Sequence, residues 1–445
     1  MRTYVLMALV VALFAGRLAA EEVSSSEARK YAQELNVLLR GERKGALNDF
    51  IGRMAALDNE RVVGYIVPAA TLIPSATNYR AAVDAIAGLQ NPEAIEVLVE
   101  LLGKKKRSDD DKSLVIEAFG RRSDEASLGC IVEQLTAKNS DRVRTEAVRA
   151  ARARRVKDVI PALLDVLEER VKVRDRVFLE TRLALVALSG QNFDTLEDWR
   201  KWWDPVKDTF DPATVGEQEG RTQTEIIKVE DAAVQFFGSE IFSRNLVFVI
   251  DVSGSMLKYD EGDYEGPDVE TARRRLTRAQ AQLTEALKNL QRGALFNVIA
   301  FSNSVKMWQK TMQPAAPRTL ADAVRFVNDF KAIGATHTDE ALKQAFEDVR
   351  VDTIVFLSDG APAKTGADGE EQRIIDDTLE WFRDTNAVRK VRINTFGFDR
   401  IGQWPERVPF PGRLPPPPTA EELELFTGFL KTLAEESGGT YRPID

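Results

Sequence analysis

The chain has 445 residues, 61 Lys and Arg against 70 Asp and Glu, a formal net charge of −9, one Cys, one His and 44% hydrophobic residues. That is the composition of a folded protein of two or three domains with ample core. A single Cys excludes an intrachain disulfide and a multi-cysteine zinc site, and a single His excludes a centre of several imidazoles, so any bound metal is held by oxygen.

Residues 1–20 read as a secretory signal peptide: Arg2 gives a basic start, Tyr4 to Ala15 is apolar, and Ala19-Ala20 offers a small-residue cleavage site before Glu21. A permanent membrane anchor needs about 20 apolar residues, and Gly16-Arg17 interrupts the run too soon. The expected protein is exported, to the periplasm or the cell exterior, without a permanent membrane anchor. No Cys stands directly after Ala20, and Cys130 lies in an apolar helical stretch as a buried thiol. Residues 21–204 carry 30 basic against 31 acidic side chains and residues 205–445 carry 29 against 39. The acidic excess of the second half makes nucleic acid a poor partner there, and a cation or a basic surface a good one.

From Glu27 to Asp204 apolar residues recur every three and four positions in segments of 11 to 16 residues, parted by short breaks such as Gln90-Asn91-Pro92. The segments pair with a period of about 32 to 33. Val83, Val115 and Ala147 fall in register, as do Ile86, Ala118 and Ala150, then Leu98, Ile131 and Leu163, then Leu102, Leu135 and Leu167. A helix hairpin of this size cannot bury both faces alone, so stacked copies share a core and leave an extended surface for docking. Length and pattern resemble degenerate HEAT-type repeats, most regularly over 78–204. The stretch Phe193 to Trp203 supplies Trp199, Trp202 and Trp203 to close the end of the stack. Two basic runs, Lys104 to Arg107 and the stretch with Arg142, Arg144, Arg149, Arg152, Arg154, Arg155 and Lys157, read as solvated helix faces and a loop. Periodicity fades over 205–240, which reads as a linker containing one short strand at Glu225 to Val229.

The rest, 241–445, alternates strands and helices. Leu246 to Ile250 is an uninterrupted apolar run ending at Asp251, the mark of a parallel strand buried on both faces. A helix is expected over Thr271 to Leu290, strands over Ala294 to Phe301 and Val305 to Trp308, then helices over Leu320 to Phe330 and Thr338 to Val349. Strand Thr353 to Leu357, helix Glu371 to Arg383, strand Val391 to Phe398, helix Ala420 to Glu436 and strand Thr440 to Pro443 complete the pattern. This is a doubly wound α/β domain, whose ligands sit beyond the carboxyl ends of the strands. On that rim fall Asp251, Ser253 and Ser255, then Thr336, then Asp359: two carboxylates and three hydroxyls, a hard-cation site of low charge for Mg²⁺ or Mn²⁺.

Asp251-x-Ser253-x-Ser255, then Thr336, then Asp359, each after the right element, resembles the metal-ion-dependent adhesion site of von Willebrand factor type A (VWA) domains. The resemblance implies that Ser253, Ser255 and Thr336 ligate the ion directly or nearly so, Asp251 and Asp359 directly or through water, and that a partner's carboxylate completes the shell. Ala335 departs from the Gly many members carry before the Thr. Two loops on the same rim, Lys258 to Glu270 and Asp399 to Thr419, are expected to overhang the metal, and Asp260, Glu261, Asp263, Glu265, His337 and Trp404 are the candidate partner-contacting residues.

Enzyme signatures do not assemble. Ser255-x-x-Lys258 and Lys364-Thr365-Gly366 mimic two elements of penicillin-binding enzymes, but the only middle element, Ser243-Arg244-Asn245, precedes both. No nucleophile elbow or phosphate-binding loop is present. The expectation is a non-enzymatic adaptor: a HEAT-like all-α solenoid over 24–204, a linker, and a VWA domain that engages a carboxylate of a protein partner through its cation, the solenoid docking a second surface. A metal-dependent hydrolase using the acidic loop, or a structural VWA domain without metal, are the alternatives.

Overall fold

The computed structural model describes residues 22–216, 234–260, 272–360, 370–398, 400–405 and 418–444. The expected signal peptide, the Glu225 to Val229 strand, Glu261, Asp263, Glu265 and the Lys364-Thr365-Gly366 segment lie outside the described residues. The chain divides into two compact units with the break between Glu133 and Gln134.

The first unit is all-helical, with helices Ser25–Arg40, Lys44–Leu57, Ile66–Thr71, Ala76–Gly88, Pro92–Gly103 and Asp109–Gly120, and Glu125–Gln134 at its end. Helices start where the sequence supplies an oxygen to take an unpaired N–H: Ser24, Ser75, Asn91 and Ser108 each cap the helix that follows. Loops are tied across the period. The Asp58 carboxylate accepts the backbone N–H groups of Gln90 and Asn91 at 2.8 and 2.9 Å, and Arg122 donates to the carbonyls of Ile86, Ala87 and Leu89. Every repeat position aligned above, from Val83 to Leu167, is buried, as the register requires. Cys130 is buried too, and burial, with Glu133 and Asp124, pushes its thiol pKa up.

The second unit opens with helices Asp141–Arg154, Ile160–Arg170, Arg176–Ser189 and Leu196–Val206. Here the basic stretch departs from the expectation of solvated faces. Arg144 is fully buried, donating to Glu169 and to the Leu135 carbonyl, and Arg149 pairs with buried Glu180 at 2.5 Å. Helical periodicity alone cannot separate a solvated arginine from one that folds back onto a carboxylate of the next helix. The tryptophans do pack on one another: Phe193, Trp199, Trp202, Trp203 and Phe210 form a chain of ring contacts 5.1–6.4 Å apart.

The sheet comprises β3 (Asn245–Asp251), β4 (Leu295–Phe301), β5 (Val305–Met307), β6 (Gln313–Pro314), β7 (Thr353–Ser358), β8 (Arg392–Gly397) and β9 (Tyr441–Pro443), in the order β5-β4-β3-β7-β8-β9 with β6 also on β4. A separate hairpin, β1 (Val234–Phe236) and β2 (Ser239–Ile241), turns at Phe237-Gly238, both with positive φ. Sequence patterning missed it because three-residue strands show no period. Strands β3, β4, β7 and β8 run parallel, so Asn245, Leu295, Thr353 and Arg392 start at one edge and Asp251, Phe301, Ser358 and Gly397 end at the other. Both faces are covered: Phe248, Ile250 and Phe396 belong to one apolar cluster, Val249, Phe356 and Ile393 to the other. Each fully buried Phe, Val or Ile contributes about 1.5–3 kcal/mol. Together these clusters make the sheet a rigid platform.

At the starting edge the sheet meets the helices of its own unit. Arg176 donates to the Asp352 carbonyl at 2.7 Å, Arg142 to the Val388 carbonyl at 2.7 Å, and Gln291 to the Val173 carbonyl at 2.6 Å, while Phe178 stacks on Phe242. Among the described residues no helix is long and apolar enough to cross a membrane.

Candidate metal centre

At the opposite edge β3 delivers Asp251 into the turn Val252 to Ser255. Asp251 is fully buried, its Oδ1 accepting the Ser253 N–H at 2.7 Å and its Oδ2 the Ser358 hydroxyl at 2.6 Å. The Ser253 and Ser255 hydroxyls are 2.9 Å apart, and Ser255 donates to Asp359 Oδ1 at 2.7 Å. Three loops are fastened around this point. Gly254 N–H binds the Gly334 carbonyl at 2.9 Å, Ile333 N–H the Val252 carbonyl at 2.9 Å, and His337 N–H the Ser302 carbonyl at 3.1 Å. Gly334 has φ +90°, and a Cβ there would lie 2.7 Å from Asn303, whose Oδ1 takes the Ala335 N–H, so only glycine fits the turn. Beyond it Thr336 is nearly buried, its hydroxyl 4.0 Å from where a Cβ on Gly360 would stand, beside Asp359.

The five rim residues expected from sequence therefore lie on three loops tied to one another, and all but Ser255 are buried. Burial, and then the like charge of Asp359, push the Asp251 carboxyl up to about 7 against the hydrogen bonds from Ser358 and Ser253. A pair of carboxylates held together in a dry site, with hydroxyl oxygens facing them, fits a hard divalent cation, which would remove that penalty. Among the described residues no group of three or more His, Cys, Asp or Glu gathers as a metal cluster. The donor set here is instead two carboxylates plus hydroxyls, which fits a hard divalent cation.

The neighbourhood contains cations that the sequence reading did not foresee. Arg275, first residue of the helix Arg275–Lys288, is 1% exposed and donates to Asp359 Oδ2 at 3.0 Å and to Asp260 Oδ1 at 2.6 Å. Asp260, expected among partner-contacting residues, is buried, and its carboxylate also takes Arg278 at 3.2 Å. Buried Lys258 places its ammonium 5.0 Å from the half-buried Trp404 ring. His337 directly precedes the helix Thr338–Phe346 at the rim, its Nδ1 3.7 Å from Glu340. The visible signal was the run Arg273-Arg274-Arg275 directly after an acidic loop.

Residues 246–361, from the second residue of β3 past Asp359, match the family model described as von Willebrand factor type A domain. This segment is a VWA domain. It is 31% identical over 112 residues to the bovine (Bos taurus) inter-alpha-trypsin inhibitor heavy chain H3, covering 24% of this chain and 11% of that protein. Similarity to heavy chain H1 of Mesocricetus auratus is 28% over 138 residues, 28% of this chain and 14% of that one. The chain thus spans only about a tenth to a seventh of these relatives, and the likeness concerns the VWA domain. Among solved structures, a von Willebrand factor type A protein from Catenulispora acidiphila is 19% identical, covers 46% of this chain and 40% of that chain, and superposes with a TM-score of 0.31, too loosely to place individual residues.

Proposed function

We propose that the VWA domain holds a divalent cation, Mg²⁺ or Mn²⁺, at Asp251, Ser253, Ser255, Thr336 and Asp359, and uses it to engage an acidic group on a protein partner. The observation that carries this reading is the joining of Ser253, Ser255 and Asp359 in one run of oxygen contacts of 2.7–2.9 Å beside buried Asp251. The ion would supply positive charge at a site open to one more oxygen ligand. What the chain's own residues do is orient those oxygens: Ser358 and the Ser253 N–H fix the Asp251 carboxylate, and Gly334 lets the Thr336 loop close. The protein is an exported, non-enzymatic adaptor, its helical repeats offering a HEAT-like second docking surface. Among the described residues the chain's single imidazole, His337, lies with Nδ1 3.7 Å from Glu340.

Calorimetric titration of the full chain with Mg²⁺ and Mn²⁺, beside Asp251→Ala, tests it. One equivalent bound by wild type and none by the folded variant is the expected result. Equal binding by both, or none by wild type, contradicts the cation reading.

A further inference from the structure

Resting on that cation reading, the geometry points to Arg275 as a positioning residue that weakens the site for a free ion and so makes tight binding depend on an anionic partner. Its guanidinium is held from every side. Nε donates to Asp260 Oδ1 at 3.0 Å and Nη2 to the Arg400 carbonyl at 2.7 Å, and the Phe398 ring lies 5.2 Å from Cζ. Gly402 leaves room for it, since a Cβ there would stand 2.7 Å from Nη2. A guanidinium so enclosed has one orientation, and that orientation spends Nη1 on Asp359 Oδ2, leaving Oδ1 turned to Ser255.

Two consequences follow. Asp359 is fixed with a single oxygen toward the hydroxyls, and its negative charge is offset before any ion arrives. Among the described residues Asp359 and Asp260 are paired with Arg275 and Arg278, while the contacts of the Asp251 carboxylate are the Ser253 N–H and the Ser358 hydroxyl. A divalent ion entering this set meets one ligand carboxylate, Asp251, whose charge is not already offset, so affinity for the bare ion is low, as it is wherever the ligand charge count is low. The loaded rim keeps a positive excess, and a carboxylate from a partner supplies the missing charge and the missing ligand together. A clamp serving stability alone would need Asp260 and the Arg400 carbonyl, but not the bond to Asp359.

The test is calorimetric Mg²⁺ and Mn²⁺ titration of the full chain as wild type, Asp260→Asn, and Asp260→Asn/Arg275→Met, with folding verified by circular dichroism. The double variant frees Asp359 without also taking Arg275 from an ionised Asp260, and it should bind the ion about tenfold tighter than wild type or more. Asp260→Asn alone leaves Arg275 on Asp359 and should bind no tighter than wild type. If the double variant does not fold, Arg275→Gln, which leaves Asp260 with Arg278, is read in the same way. Equal or weaker ion affinity in the freed variant makes Arg275 a structural clamp and overturns the inference while leaving the cation site standing. No ion on any folded form overturns the site itself, and the inference with it.

Discussion

The two edges of the β-sheet bury charge in opposite ways. At the starting edge Glu180 is matched: it pairs with Arg149, and Arg176 and Arg392 lie close enough to act on it. Burial pushes Glu180 up, yet Arg149, Arg176 and Arg392 outweigh it and hold its carboxyl down at about 2. At the finishing edge Asp251 has hydrogen bonds but no cation, and a second carboxylate beside it. A buried charge with its counter-ion is held in one arrangement, whereas a buried charge without one raises the energy of the empty site, which a bound cation would lower. On the proposed reading the same sheet carries a sealed end and a receptive end.

Removing a charge should therefore have opposite signs at the two ends. The largest effect is expected from Glu180→Ala, which removes the buried carboxylate beside Arg149, Arg176 and Arg392 and should cost about 3–5 kcal/mol in urea unfolding at neutral pH. Because the Glu180 pKa is lowered on folding, its contribution is present above about pH 4.5 and fades as pH falls toward 2. The gap between variant and wild type should close over that range, and a gap independent of pH would break the comparison. Gly334→Ala comes next, at about 1–3 kcal/mol from the positive φ and the Asn303 contact, and it should weaken ion binding as well by displacing Thr336. Asp251→Asn should do the reverse and stabilise the ion-free protein by about 1 kcal/mol at pH above 7. A carboxyl whose pKa is raised on folding gives its stability below its unfolded value and loses it as pH rises through about 7, so the variant's advantage should vanish in acid. Smallest of all, Ile333→Ser and Ile401→Ser, at rim residues 61% and 58% exposed, should leave stability within about 0.5 kcal/mol.

Much of this division could be read in the sequence. Long periodic segments gave the helices, and continuous apolar runs gave β3, β4, β7 and β8, because burial on one or both faces writes itself into residue spacing. The rim oxygens were legible for a related reason: Asp251 and Asp359 stand directly after such runs, where a doubly wound sheet puts its ligands. What escaped was pairing at a distance. That Arg149 meets Glu180, or that Arg275 reaches Asp359 and Asp260, depends on how helices are set against strands, and a lone arginine in a helix carries no mark of its partner. The β1–β2 hairpin escaped because its strands are too short for a pattern, although Phe236 packs on Phe396 in the core.

The most direct test of the two-ended account is thermal unfolding of wild type, Asp251→Asn and Glu180→Gln, each with and without saturating Mg²⁺. An ion that binds the folded state at the rim must raise the melting temperature by mass action. The account predicts that Mg²⁺ stabilises wild type and Glu180→Gln alike, from different starting points, and leaves Asp251→Asn unmoved. Equal stabilisation of all three proteins, or of none, would contradict it.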